Sequence, residues 1–266
     1  MSTLNNINAF TGTKIGKGEG AIYVPADLVD TYKANANWSN YIIMPISSYP
    51  LSNFDTIIDS WSEIIAAAEG GTISSKYSLG DTKTLSINNV DVQMQLVGLN
   101  KDELASGGVY AASTWIVKNF NSLVHAMNST STNADGWAAS AMRTWLTDTI
   151  LPTIDNSVSS HFKQVKKTYY DYTTSSTLST NDKIWIPSCR EMFGGSSYEN
   201  SGCDYTDFFT TNTKCIKNST SGASAYWTRT AHSSRSSNFY QVSNIGNATY
   251  NAAHSASYGA AVGFCL

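Results

Sequence analysis

Catalysis by side chains needs groups that can face one bond, so the acids, thiols and imidazoles of the 266-residue chain are weighed first. Asp102 and Glu103 are adjacent in NKDEL, and neighbouring side chains diverge in most backbones. Sugar hydrolysis needs two carboxyls flanking one bond, so this pair is expected as a solvated turn. Glu191 in CREMFG is expected as a buried acid paired with Arg143 of SAMRTWL, a structural ion pair because no third group can be placed beside it. Cys189 has a cationic neighbour in Arg190, the setting that lowers a thiol pKa. No His lies near it in sequence, so a structural thiol is expected. The four cysteines (Cys189, Cys203, Cys215, Cys265) form no CxxC pair, and the four histidines are scattered from His125 to His254. That spacing supports no zinc cluster. It leaves two states open for the thiols: reduced and partly buried, or one or two disulfides bracing the C-terminal loops. His125 and His161 fall on helical patterns or their ends, which suits core or surface roles. There is no GxSxG, phosphate loop, HExxH or GxGxxG. No catalytic residue, metal ligand or cofactor is assigned.

What the residues do offer is recognition chemistry. The last 49 residues, 218–266, carry only two formal charges, Arg229 and Arg235, and no Lys, Asp, Glu or Met. Tyr, Ser, Asn and Gly with occasional Arg and His is the composition of adaptable contact loops. The absence of long, strongly hydrated Lys and Glu chains eases desolvation at an interface. The expected contact residues are His232, Ser233, Arg235, Asn238 and Tyr240, followed by Asn244, Asn247, Tyr250, Asn251, His254 and Tyr258. Alternation in NFYQVS puts Asn238 and Tyr240 on one strand face. Arg235, Tyr240 and Tyr258 are expected to dominate, since hot spots favour Tyr and Arg.

Composition limits the partner classes. Only 14% of residues are charged and the net charge is −3, while Ser, Thr and Asn make up 88 of the 266. With no basic run, nucleic acid is not an expected partner. Seven Trp and fifteen Tyr argue for a folded chain, because disorder goes with few aromatics. No apolar stretch is long enough to span a bilayer, and no basic-then-apolar leader marks a signal peptide.

The elements that must position these residues follow from periodicity. IYVPADLVDTYKANANWSNY reads as a short strand ended by Pro25 and then a helix. Residues 53–69 place Phe54, Ile57, Ile58, Trp61, Ile64 and Ile65 at helical spacing, capped by Asn53 or Asp55 and stopped at Gly70-Gly71. KTLSIN and VDVQMQLVG form a hairpin about Asn88-Asn89. STWIVKNF is a strand or short helix. Residues 137–150 form a helix that starts near Asp135, and a short helix over 156–163 follows. QVKKTYYDYT and DKIWIP are strands around a Ser/Thr-rich loop at 173–181, and 194–202 is a loop. AYWTRT, NFYQVS, NATYNA and AAVGFCL are short strands. Trp137, Met142, Trp145, Leu146, Trp185 and Trp227 are expected in the core. The first strand of the main domain and the closing strand 260–266 are expected to lie close together.

Four ordered motifs, MNSTSTNADGWAASAMRTWL, DKIWIPSCREMFG, YWTRTAHSS and GAAVGFCL, resemble a domain of unknown function common in gut bacteriophage and prophage proteins, over residues 83–266. The stretch IYVPADLVDTYKANANWSNY resembles the terminal unit that follows leucine-rich surface repeats in phage tail and adhesin proteins. The YW-x-R and GFC-x ending also resembles the variable proteins of diversity-generating retroelements. That last resemblance implies an α+β, C-type lectin-like domain with short helices and small antiparallel sheets. In such proteins adenine-directed mutagenesis of Asn-type codons never yields Lys, Glu, Gln, Met or Trp, so Trp227 and Gln241 would be fixed scaffold. Calcium-lectin motifs (Glu-Pro-Asn, Gln-Pro-Asp, Trp-Asn-Asp) are missing, as is the reactive cysteine pair of the related formylglycine-generating enzymes. The expectation is an attachment segment over 1–71 and a ligand-binding domain over 72–266. The implied protein is a receptor-binding or adhesion protein of a phage tail or extracellular surface, with no enzymatic activity. Its expected partners are a bacterial surface protein or glycan, and further copies of itself in a homo-oligomer. The competing expectations are a glycan-active enzyme and a purely structural virion protein.

Overall fold

The computed structural model describes residues 10–13, 15–18, 21–45, 56–195, 197–255 and 258–266. The chain divides into two compact units, Met1–Asn53 and Phe54–Leu266. The division falls before the amphipathic helix that the sequence assigns to the N-terminal segment, and the cause is burial. Ile57, Ile64 and Ile65 join the core of the larger unit.

The smaller unit builds a minimal core from two parallel strands, β1 (Ala21–Val24) and β2 (Ile42–Pro45), joined through the short helix α1 (Val29–Ala34). Pro25 ends β1 as its ring chemistry requires, and its carbonyl accepts from Leu28 N–H at 2.9 Å in the turn that leads into α1. Val24, Val29, Tyr32, Trp38 and Ile43 are buried together.

The larger unit is α+β with small, mostly antiparallel sheets. It opens with α2 (Trp61–Glu69). Asn53 and Asp55 lie outside the described residues, and the helix starts later than the apolar spacing indicates. A capping box fixes that start: Ser60 N–H donates to Glu63 Oε2 at 2.7 Å and Glu63 N–H to Ser60 Oγ at 3.3 Å, satisfying two orphan donors. A short turn, α3 (Ile73–Lys76), leads to β3 (Thr82–Ile87) and β4 (Val90–Leu99). Asn88 and Asn89 both have positive φ, +53° and +58°, as a two-residue type I′ hairpin demands. β5 (Ser113–Val117) pairs with β4.

Helix α4 (Ala141–Trp145) runs into a π-helical turn at Leu146–Ile150. Its cap is Ser140, not Asp135, which instead sits in a left-handed turn at φ +58°. Met142 and Leu146, four apart, face the core, which leaves Trp145 on the flank. Trp145 is half-buried and stacks on His125 at 4.6 Å, whereas Trp137, Trp185 and Trp227 are fully enclosed. After α5 (Asn156–Ser159) come β6 (Val165–Asp171), β7 (Ser176–Asp182) and β8 (Ile184–Trp185). Most of the Ser/Thr-rich stretch expected as a loop is therefore strand β7. Threonines suit a strand, and the Asp171 carboxylate ties the turn by accepting from Thr173 and Thr174 N–H, both at 3.1 Å.

Helix α6 (Cys189–Phe193) and the hairpin β9 (Lys217–Ser219)–β10 (Gly222–Ser224) precede β11 (Tyr226–Ala231), β12 (Asn238–Val242) and β13 (Ala248–Ala252). The chain closes with β14 (Gly259–Ala260) and β15 (Gly263–Cys265). The two larger sheets have the orders β3-β4-β5-β15-β8 and β13-β12-β11-β14, beside the two-stranded pairs β6-β7 and β9-β10. The closing strand is fully buried, but it inserts between β5 and β8, with β4 and β5 separating it from β3. Gly263 permits that insertion, because a Cβ there would lie 2.7 Å from Trp185 Cζ3.

All four cysteines are free thiols. The only described helices are short, and none is long and apolar enough to cross a membrane. Lys217 is buried, and its Nζ donates to Val117 O at 2.5 Å. Burial pushes its pKa down to about 7. Below that value the ammonium is buried at full cost. The unfolded chain holds more protons from about pH 7 up to the ordinary lysine range, so stability contributed by this residue rises with pH across that window. Lys217→Met is expected to flatten that rise, as read from unfolding midpoints of both proteins at matched pH values.

Candidate functional site

Two places gather chemistry: a buried ionic cluster and an aromatic face on β12 and β13. The cluster overturns the expected solvated turn at Asp102, which is fully buried. Inward alternation on β6 places Lys167 inside with Val165 and Tyr169. Lys167 Nζ contacts Asp102 Oδ1 directly and lies 3.1 Å from Glu191 Oε1, 2.8 Å from Tyr205 OH and 3.2 Å from the Trp185 ring centroid. Asp102 Oδ2 accepts from Thr114 Oγ1 at 2.5 Å and is 3.0 Å from Tyr205 OH.

Glu191 is buried and paired as expected, but its cation is Arg229 and not Arg143. Arg229 grips it as a fork, Nη1 to Oε2 at 2.7 Å and Nη2 to Oε1 at 2.6 Å. The guanidinium also donates to Thr168 O and Ile186 O. Arg143 serves a different acid, Asp182, at 2.8 Å, and Trp137 Nε1 donates to the same carboxylate at 2.9 Å. Glu191 also closes a capping box on α6, accepting from Ser188 N–H at 2.9 Å. Burial pushes the Glu191 carboxyl up, but Arg229 and Lys167 outweigh it and hold the pKa at about 2. Burial and the neighbouring Glu199 push the Cys189 thiol upward, against the opposing pull of Thr228, Thr230 and Arg229. Glu199 is itself buried, and its carboxyl is raised by burial while Thr230 Oγ1 donates to it at 2.6 Å.

Asp102, Glu191 and Cys203 offer donor atoms within 4.8 Å of one another, as a cation site would. The cation already among them is the Lys167 ammonium. Cys203 also lines a cleft of about 310 Å³ with Lys101, Glu103, Tyr110, Lys166 and Thr168. The carboxylates below it spend their lone pairs on Lys167, Arg229, Thr114, Tyr205 and Ser188. The cluster therefore ties β6, α6, β11 and the segment around Asp102 into one unit.

The aromatic face stands on that unit. Tyr240 on β12 is directly opposite Tyr250 on β13. His232, 8% exposed, stacks on Tyr240 at 4.9 Å and 5°, and meets Tyr250 edge-on at 4.6 Å. Arg235 lies over the Tyr250 ring at 4.7 Å, and Tyr198, which sequence reasoning missed, meets Tyr240 edge-on at 5.2 Å. Tyr250 is 42% exposed, and Ser233 and Arg235 are exposed in the turn between β11 and β12. Burial and the Arg235 charge lower the His232 pKa, favouring the neutral ring.

The other expected contact residues do not join this cluster. Asn238 is half-buried at the start of β12, on the Tyr240 face. Asn244 is exposed in the turn at the far end of β12, and Asn247 there accepts from Asn212 Nδ2 at 2.5 Å. Asn251 and Tyr258 lie on the opposite sheet face: Asn251 Nδ2 is 2.5 Å from Tyr258 OH, and Tyr258 packs edge-on against Trp227. His254 is exposed in the turn after β13. Trp227 and Gln241, the two residues outside the retroelement codon set, face each other in register and are both buried.

The motifs brace one another across the fold. Asn133, from the first motif, donates through Nδ2 to His232 O (3.2 Å), Arg235 O (2.9 Å) and Asn238 O (2.7 Å), fixing the turn that carries the face. Asn133→Ala removes the side-chain donor that ties these carbonyls together, leaving Arg235 O and Asn238 O only their backbone donors, Asn238 N–H and His232 N–H. It is expected to cost about 1–3 kcal/mol, with faster amide exchange across residues 232–238 as its local signature.

Comparisons with curated proteins and with solved structures yield no match. The family described as a domain of unknown function (DUF6273) matches residues 112–266, from the edge of β5 to Leu266. That span holds four of the five members of the ionic cluster, Lys167, Glu191, Tyr205 and Arg229, and all of the aromatic face. It covers more than half of the chain, and the chain therefore belongs to this family of domains of unknown function.

Proposed function

We propose that this chain is a receptor-binding or adhesion protein, carried on a phage tail or an extracellular surface, whose larger unit is a C-type lectin-like binding domain. The observation that carries this reading is the aromatic face. Tyr240, Tyr250, His232 and Arg235 combine large, stiff contact area with few long charged chains, on strands braced by a buried ionic cluster. Such a surface loses little entropy on binding, and Tyr and Arg are the usual anchors of an interface. The partner is a bacterial surface protein or glycan. Homo-oligomeric display would raise apparent affinity without new contacts, and the smaller unit would serve attachment. The retroelement resemblance extends the proposal, making the exposed polar positions of 232–258 the diversified ones over a fixed Trp227–Gln241 scaffold.

The competing enzyme reading draws on Asp102 and Glu191 below the 310 Å³ cleft. Both carboxylates are saturated by internal donors, which favours binding over hydrolysis.

The test is a triple variant, Arg235→Ala, Tyr240→Ala and Tyr250→Ala, with labelled protein applied to a panel of gut bacterial cells. Each hot-spot side chain contributes about 2 kcal/mol or more, so cell binding is expected to vanish while Tm stays within a few degrees. Undiminished binding by a folded triple variant would remove this face. No binding by the wild-type chain to any cell or isolated envelope glycan would remove the adhesion reading.

A further inference from the structure

We propose that Lys167 and Asp102 are the two halves of an intramolecular isopeptide cross-link, an amide between Lys167 Nζ and Asp102 Cγ. The amine and the carboxyl are in direct contact, and both side chains are completely enclosed. Nζ touches Oδ1, which puts it one bond from the carbon it would attack, in near-attack range. Its other neighbours are those an acyl transfer requires. Thr114 Oγ1 at 2.5 Å and Tyr205 OH at 3.0 Å are aimed at Asp102 Oδ2, where negative charge develops in the tetrahedral intermediate. Glu191 Oε1, 3.1 Å from Nζ, is placed to take a proton from the attacking nitrogen. Tyr205 OH lies 3.4 Å from Glu191 Oε1 and 3.0 Å from Asp102 Oδ1, completing a path to the departing oxygen. The Trp185 ring, 3.2 Å from Nζ, walls this side of the amine with apolar surface.

The step balances without a co-reactant. The Nζ–Cγ bond forms and the Cγ–Oδ1 bond breaks. Of the three protons on the ammonium one remains on the amide nitrogen, and two leave with Oδ1 as water. Glu191 begins and ends as a carboxylate. Charge also balances: Asp102 and Lys167 lose one negative and one positive charge, and Glu191 keeps its bidentate partner Arg229. Two buried ions become one neutral amide, which removes their desolvation cost. The bond would close a span of 65 positions between the segment after β4 and strand β6, a covalent brace beneath the aromatic face. This inference does not depend on the adhesion reading.

Intact mass spectrometry of the folded, purified full chain tests it directly. The wild-type chain is expected to be lighter than its sequence by one water, while Lys167→Met has its full sequence mass. Proteolysis is expected to release a branched peptide joining residues 102 and 167. A Glu191→Gln chain shown to be folded by near-ultraviolet circular dichroism is expected to keep its full mass, and a cross-link forming there as in wild type would overturn the role of Glu191. A wild-type chain at full sequence mass overturns the proposal, and so does a missing water that maps to other residues. All of these outcomes are independent of cell binding.

Discussion

Arg229→Ala is expected to destabilise the larger unit by about 3–5 kcal/mol, the usual cost of removing one partner from a buried ion pair. Arg229 is fully buried, and its fork satisfies both oxygens of Glu191 while two further bonds reach Thr168 O and Ile186 O. Alanine would leave a buried carboxylate short of its principal counter-charge and two carbonyls without their donor. Water cannot easily replace them, because Trp185, Lys167 and Tyr205 fill the surroundings. Glu191→Leu combined with Arg229→Met is expected to lose less than Arg229→Ala, since the charges disappear together. The Lys167–Asp102 pair stays balanced in that double variant. Acid titration supplies a second readout. The Glu191 pKa is held near 2 in the fold, below its ordinary value, so its contribution is present above the ordinary carboxylate range and lost as pH falls toward 2. In Arg229→Ala that part of the acid dependence should shrink. Denaturant unfolding of the three proteins at matched pH values decides the matter; equal midpoints would mean the fork contributes nothing net.

Local signals in the sequence were reliable where one residue type has one backbone use. The Asn88-Asn89 turn, the break at Pro25 and the pairing of β3 with β4 all follow from short-range chemistry. The start of α2 was equally legible, since Ser60 and Glu63 spell a capping box, but the apolar spacing upstream of it suggested an earlier start. Strand β7 hid because its one apolar residue, Leu178, gives no alternation, although its threonines favour extended backbone. The binding face was visible as composition and only partly as geometry. Period-two alternation puts Tyr240 and Tyr250 together once their register is known, and the same register sends Asn251 to the far face beside Tyr258. The ionic cluster was the least legible feature. Its members come from separate elements, at 102, 167, 191, 205 and 229, and adjacency in sequence led Asp102 to be grouped with Glu103, which does not share its environment. Lys167 did carry a signal, since β6 alternates strictly and places a lysine on the face that holds Val165 and Tyr169. A charged residue at an inward strand position requires a buried partner, and that rule points toward an acid elsewhere in the chain.

Trp185→Ala is expected to cost at least as much as any other truncation in the core, about 3–5 kcal/mol. Its ring has a polar load on it that other core tryptophans lack: Lys167 Nζ sits 3.2 Å from the ring centroid and the Arg229 guanidinium 5.9 Å from it. The Arg229 guanidinium keeps its charge whether or not Lys167 is cross-linked, and a desolvated cation over an indole face contributes about 2 kcal/mol or more, so this loss adds to that of the cavity. The cavity would also be hard to refill. Trp185 lies on a strand paired with β15, Gly263 presses against its ring, and Tyr205 stacks alongside at 6.3 Å. Each of these neighbours is fixed by main-chain pairing or by the ionic cluster, so little collapse is available. Trp145 provides the internal control, being half-buried on the flank of α4 with His125 as its stacking partner. Trp145→Ala should therefore cost clearly less than Trp185→Ala. Trp185→Phe should fall between them, because a phenyl ring keeps a face for Lys167 but not the full volume. Guanidinium unfolding of the three variants reads this order. If Trp145→Ala proved as damaging as Trp185→Ala, the ring under Lys167 would have no special part in holding the larger unit together.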